Sequence, residues 1–263
     1  MATINLIILL CCAAVFVSAQ NTDEAKPSER IFGGEEADRG QFKWQVAIGS
    51  KREDGFYSPL FSGALITKQW VLTNSKIDPA NYEFDVILGA THLYDDQDGK
   101  IITKFEKILF HSEYCYTALG KLVAPVQFTD YIGPIKLPQP TDYLAGGTTV
   151  WFSGWGWVHS NGEQFVNELR FVDLITLFQE NCIDGDLPDH YVCTDGSKGK
   201  CPWLYGDEGG ALVQYINGAW THMATMSTFY YNGCPSGGPT AFTRTTYLLD
   251  FIYANTGPIS NYN

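Results

Sequence analysis

The stretch LYGDEGGALV, Leu204 to Val213, sets three glycines around a turn whose tip holds two adjacent carboxylates, Asp207 and Glu208. Glycine is used where a backbone must bend sharply or come close to something. The amides of such a turn are a receptacle for negative charge, yet this one already carries two acids. Nucleophilic catalysis at such a turn needs a hydroxyl or thiol, a base beside it and a group orienting the base. No serine occurs from Lys198 to Met226, and the two acids at the tip do not replace one. What such a turn can do depends on the elements that position it.

Many short segments rich in Val, Ile, Phe and Trp read as strands: WQVAI, FSGALI, WVLT, FDVILG, TTVWFSGWG and LRFVDLITL, separated by Gly, Pro, Asp and Asn clusters. The clearest hairpin is ALVQYINGAWTHMATMS, with Asn217-Gly218 suited to a type I′ turn. Helix is expected only as a turn around Leu177 to Cys182 and as an amphipathic segment near Tyr247 to Asn255, where Leu248, Leu249, Phe251 and Ile252 share a face. With 263 residues, this reads as one large all-β domain or two smaller ones. A formal charge of −12 argues against nucleic-acid and anionic-membrane partners, which call for basic patches.

The apolar run Leu6 to Val17, followed by Val17-Ser18-Ala19, reads as a secretory signal over residues 1–19, so the protein is expected outside the cell. It is too short to span a bilayer comfortably, and nothing later resembles a span. Residues 20–30, QNTDEAKPSER, are polar and end in Arg30, as an exposed leader would. Beyond the signal, five cysteines remain: Cys115, Cys182, Cys193, Cys201 and Cys234. Secretion favours disulfides, and an odd count leaves one thiol free or bridged to another chain.

Several stretches together resemble the trypsin/chymotrypsin-like serine proteases (peptidase S1). RIFGGEEADRGQFKWQVAI resembles the activation junction and first strand. FSGALITKQWVLTNSKI lies where that family reads F-C-G-G-S-L-I-x-x-x-W-V-L-T-A-A-H-C. PVQFTDYIGPIKLP resembles the interdomain segment, SGWG a further signature, and GDEGGALV the G-D-S-G-G motif. The match runs from Ile31 to about Ala254, and CTDGSKGKC and GGALV are most like the arthropod chymotrypsin- and collagenase-like branch. The resemblance implies an all-β fold over residues 31–263. It consists of two packed six-stranded antiparallel β-barrels with a C-terminal helix and an active cleft between the barrels. It also implies a zymogen: residues 20–30 form a propeptide, Arg30-Ile31 is the scissile bond, and Asp207 receives the new amine of Ile31.

By the same resemblance all three catalytic positions are altered. Lys76 stands at the histidine, Tyr116 at the aspartate and Glu208 at the serine, within the oxyanion-type turn Gly206, Asp207 and Glu208. Realignment does not restore them, because no histidine lies between Ile31 and Thr91 and no aspartate between Gly99 and Thr129. A Ser-Lys dyad still needs the serine. A carboxylate nucleophile would form an anhydride with a peptide carbonyl. An oxyanion developing about 4 Å from Glu208 would feel roughly 4 kcal/mol of repulsion at an effective dielectric near 20. Lys76 and Glu208 are therefore expected to face each other as an ion pair with the Tyr116 hydroxyl behind it. The alternative is two charges solvated independently at the cleft mouth.

Around the primary pocket, Cys201 is followed by Pro202, Trp203, Leu204 and Tyr205 before Gly206, and Ser227 and Phe229 fall on the strand beside the pocket. A narrowed pocket is expected. The alternative is an outward bulge exposing Trp203, Tyr205, Phe229, Tyr230 and Tyr231. The resemblance pairs Cys182 with Cys193 and Cys201 with Cys234. The bridge beside the catalytic histidine has lost both ends, at Ser62 and Ile77. Cys115 is left over, either as a buried free thiol or as a bridge to a second chain. No cofactor is expected. Calcium is considered only at Asp95–Asp98, where Tyr94 spoils the D-x-D-x-D-G template. The reading is a secreted, non-catalytic protease homologue that binds a protease, an inhibitor or a cascade component and changes affinity on cleavage at Arg30. Its rivals are a peptidase with residual activity and an inert secreted protein.

Overall fold

The computed structural model describes residues 34–53, 57–77, 83–95, 97–113, 116–156, 167–183, 187–202, 204–231 and 237–259, with backbone alone at 57–60, 204–205 and 227–231. The signal, the propeptide and the Arg30-Ile31 junction lie outside the described residues.

The first half of the chain supplies β2 (Gln45–Lys51), β3 (Tyr57–Leu65), β4 (Trp70–Thr73), β5 (Asp85–Leu88), β6 (Ile101–Thr103), β7 (Phe105–Phe110) and β8 (Ala118–Leu122). They form one antiparallel sheet in the order β6-β5-β2-β3-β4-β8-β7. Its two edges, β6 and β7, are consecutive pieces of chain separated only by Lys104. A sheet whose edges are two halves of one bent strand has curled on itself, so these seven segments make a six-stranded barrel.

The second half supplies β9 (Thr149–Gly154), β10 (Arg170–Ile175), β11 (Tyr191–Thr194), β12 (Ala211–Ile216), β13 (Ala219–Tyr231) and β14 (Thr240–Arg244), and the two-residue β1 (Glu35–Glu36) joins them from the N-terminal side. The order is β1-β10-β9-β12-β13-β14-β11. A bridge between Thr176 and Thr194, with Leu177 N donating to Cys193 O at 2.8 Å, brings β10 against β11 and closes this ring too. The count per sheet is thus seven segments rather than the six expected, because one strand is broken at a corner and one short strand is added at an edge. The β12–β13 hairpin turns at Asn217 (φ 50°) and Gly218 (φ 77°), the positive pair a type I′ turn demands.

Each barrel has its own core. Val46, Ile48, Leu65, Val71, Ile77, Val86 and Leu88 fill the first, and Val150, Phe152, Val172, Leu212, Ala224 and Phe242 the second. A third cluster joins them: Trp44, Ala47 and Leu72 meet Trp155, Ala211 and Val213, together with Leu248, Leu249 and Ile252 of the C-terminal segment. Burying each such aliphatic or aromatic side chain contributes about 1.5–3 kcal/mol, which is why the barrels pack as a pair. The terminal helix runs Leu249–Thr256 after a single 3-10 turn at Thr245–Tyr247, and the expected turn near Leu177 is a 3-10 turn at Gln179–Asn181. Among the described residues, no helix is long and apolar enough to cross a membrane.

Candidate functional site

Strand β4 ends at Thr73 and the chain turns at Asn74 and Ser75. Lys76 N donates to Asn74 Oδ1 at 2.8 Å, an Asx-type closure that tightens the turn. Asn74 and Ile77 are fully buried on either side, so the Lys76 side chain has one way to go, out into the cleft. Tyr116 is half-buried two residues before Ala118, and Ala118 pairs with Thr73, so Tyr116 lies in the turn that leads into the strand neighbouring β4.

From the second barrel comes a four-residue helical turn, Leu204–Asp207, leading into Glu208 and Gly209. The two adjacent acids part company. Asp207 is fully buried against the second barrel, where Gly156 N donates to its Oδ1 at 2.9 Å. A Cβ at either Gly154 or Gly156 would overlap that carboxylate, so the SGWG glycines are the space Asp207 occupies. Glu208 faces the first barrel instead. Its Oε1 lies 3.4 Å from Lys76 Nζ, with side-chain exposures of 10% for the acid and 45% for the lysine.

The turn is also seated on β3. Ser62 N donates to Glu208 O at 2.8 Å, and Ser62 Oγ donates to Gly206 O at 2.8 Å. Gly209 has φ +86°, and a Cβ there would lie 2.5–2.7 Å from Ser62 O, Asn74 N and Thr73 Oγ1, so no other residue lets the turn approach this closely. Thr73 Oγ1 donates to Ser62 O at 2.7 Å. Behind Ser62, Gln45 Nε2 reaches Ser62 Oγ at 3.4 Å and Ser153 Oγ donates to Gln45 Oε1 at 2.8 Å, so the buried network crosses from one barrel to the other. Sequence reasoning did not single out Ser62 as an anchor, nor Gln45 and Ser153. The available signal was a polar residue inside each of three apolar runs, WQVAI, FSGALI and VWFSG.

Of the remaining site residues, Trp203 lies outside the described residues, while Leu204, Tyr205, Ser227 and Phe229 are described by backbone alone. The ladder between β13 and β14 runs to Met226↔Phe242 and resumes at Tyr231↔Thr240, so Ser227 to Tyr230 bulge out of it. Cys182 and Cys193 are bonded, with Cα atoms 5.6 Å apart. Cys201 is also disulfide-bonded, whereas Cys234 and Cys115 lie outside the described residues. Near Asp95–Asp98 the positive charge is supplied by side chains. Lys100 Nζ donates to Leu93 O at 3.2 Å and to Asp95 O, and Arg39 Nη2 donates to Asp98 O at 2.6 Å. Among the described residues, no three His, Cys, Asp or Glu are grouped to hold a metal ion.

Two closed antiparallel barrels, packed through a shared core with a glycine-walled turn of the second seated on the first, are the architecture of the trypsin-like peptidases. The family model described as Trypsin matches residues 31–252, and the chain belongs to that family. It is 31% identical to brachyurin of Leptuca pugilator over 238 residues, covering 86% of this chain and 99% of the relative. It is 29% identical to a collagenase of Hypoderma lineatum over 240 residues, covering 88% of each. A solved structure of HL collagenase superposes with a TM-score of 0.72 at 28% identity, covering 86% of this chain and 99% of that one. The collagenase-like branch is thus among its relatives.

Proposed function

We propose that this chain is a secreted serine protease homologue without catalytic activity, which acts by binding as a cofactor, decoy or regulator of proteolysis. The observation that carries the reading is the Lys76–Glu208 ion pair at 3.4 Å, formed at the positions where the family's base and nucleophile stand. An ammonium paired to a carboxylate lacks the free electron pair a general base needs. The carboxylate belongs to the turn on whose amides an oxyanion would have to develop, and roughly 4 kcal/mol of repulsion at about 4 Å is on the order of a thousandfold in rate against chemistry. The bulged strand Ser227 to Tyr230 supports binding. An extended strand of this kind is what an extended peptide pairs with, which supplies affinity without bond cleavage.

The test is a turnover assay on protein cut after Arg30, with the activating protease removed, on a broad peptide library and with Glu208→Ala as control. The expected result is no cleavage by either protein. Cleavage by the wild type that vanishes in Glu208→Ala would overturn the reading and reveal a carboxylate-dependent site. The cut and uncut forms then serve as paired baits against purified proteases and inhibitors.

A further inference from the structure

In relatives that follow the family's zymogen switch, the turn is expected to take its final shape when a new N-terminal amine reaches the aspartate. In this chain the turn has a second support, which comes from the opposite side. Ser62 grips it by two bonds that straddle Asp207: the amide holds Glu208 O and the hydroxyl holds Gly206 O, each at 2.8 Å. Two carbonyls fixed from one residue define both the position and the tilt of the peptide between them. The packing of Gly209 against Ser62 O, Asn74 N and Thr73 Oγ1 leaves the turn no room to slide along β3. Ser62 itself is immobilised by Thr73 Oγ1 on its carbonyl and by Gln45, which Ser153 holds from the other barrel. Ser62, Thr73, Gln45 and Ser153 are all buried, so water does not compete for these bonds.

We propose that Ser62 is the positioning residue of this turn. It holds Glu208 in reach of Lys76 in the uncut chain, so the closed site forms without cleavage after Arg30. The inference rests on the reading of the Lys76–Glu208 pair as a plug. It changes what the activation cut is for: cleavage would free or reorder the N-terminal segment while leaving the turn as it was. A serine at this position is able to do what a cysteine cannot. A bridged sulfur has no proton to donate to Gly206 O, whereas a hydroxyl has one.

The experiment is amide hydrogen exchange of the full mature proform, uncut and cut after Arg30. The reporters are Gly209, whose amide donates to Met226 O at 3.2 Å, and Gly210, whose amide donates to Asp207 O at 2.9 Å. In the wild type the two forms are expected to protect these amides equally. In Ser62→Ala, the uncut form is expected to lose about tenfold in protection, the scale of one buried hydrogen bond, and to regain it on cutting. In Gln45→Ala, which loosens Ser62 from behind, a smaller loss of the same kind is expected, present in the uncut form and regained on cutting. A purely structural serine would give equal losses in both forms of Ser62→Ala, so that pattern overturns the proposal. So does a wild-type turn that gains tenfold or more on cutting. Should Ser62→Ala fail to fold, the wild-type comparison decides alone. Exchange does not read turnover, so activity found in the peptide assay would sink the non-catalytic reading and leave this result standing, and the reverse holds equally.

Discussion

The two barrels hold their chain beside the cleft by different chemistry. In the second, Cys182 is bonded to Cys193, and Cys201, shortly before the turn, is bonded as well. In the first, the positions where the family carries a bridge are Ser62 and Ile77. There a hydroxyl reaches across to the turn, and a fully buried isoleucine packs into the barrel core. A disulfide acts chiefly by narrowing the unfolded ensemble, whereas packing and hydrogen bonds act only once the native contacts exist. The side that carries Lys76 is therefore the one whose integrity depends on shape and polar satisfaction. A small change there should disturb the site, while an equal loss of stability in the second barrel should leave it alone.

The largest effect is expected at Ile77. Truncation to alanine removes a fully buried side chain one residue from Lys76 and should cost roughly 2–5 kcal/mol, read as a lowered midpoint in urea unfolding. Replacing Cys182 and Cys193 together by alanine should cost about 3 kcal/mol, from the loop entropy of an 11-residue separation. The comparison sharpens if the first variant also increases exchange at Gly209 and Gly210 while the second, of similar stability, does not. Equal disturbance of the turn by both would break it.

The covalently braced barrel has a weakness of its own in acid. His222 is completely buried on β13, its Nδ1 lies 2.7 Å from Thr245 Oγ1, and its Nε2 has no hydrogen-bond partner among the described residues. Burial pushes its pKa down from the ordinary 6.5 to about 4. Below pH 6.5 the unfolded chain takes up a proton that the folded one refuses until about pH 4. Stability present above pH 6.5 is therefore lost as pH falls through this window, by about 3 kcal/mol at its acid end. Urea titrations at intervals between pH 7 and 4 should show that slope. His222→Leu should flatten it whatever it does to stability at pH 7, and a slope that persists unchanged would assign the acid sensitivity to other groups.

The features legible in the sequence are those that local pattern or motif order carries. Asn217-Gly218 announces its hairpin because two positive φ values suit few other residue pairs. Strand-like segments alone led only to an all-β chain; the resemblance carried by the ordered motifs led to paired barrels and to the bond between Cys182 and Cys193. What was not legible depends on contacts between distant residues. Ser62 Oγ meets a carbonyl 144 residues away, and Ser153 meets Gln45 across 108. No window of sequence scores such a bond, and a buried serine in an apolar run looks like any other small residue. Residues 101–110 were not among the segments read as strands, and the corner at Lys104 within them is revealed only by the pairing of β6 with β5 and of β7 with β8.

The smallest expected effect is the most specific one. Lys76→Met removes the ammonium while keeping a stem of similar length, and leaves Glu208, at 10% exposure, without that charge beside it. A half-exposed partner limits the loss, so about 1 kcal/mol is expected, well below the several kcal/mol of a fully buried pair. Glu208→Gln should cost a similar amount. If the two groups act on each other, the double variant costs less than the sum of the singles, with a coupling of about 0.5–1 kcal/mol that shrinks in high salt. Additive losses would mean that each charge is held by its own surroundings and that the cleft is merely flanked by them. Coupling that survives in the cut and uncut forms alike would make the pair a fixed part of the first barrel's hold on the turn. The comparison then reduces to one statement about this chain: its disulfides stabilise the second barrel, and its uncharged polar network decides where Glu208 points.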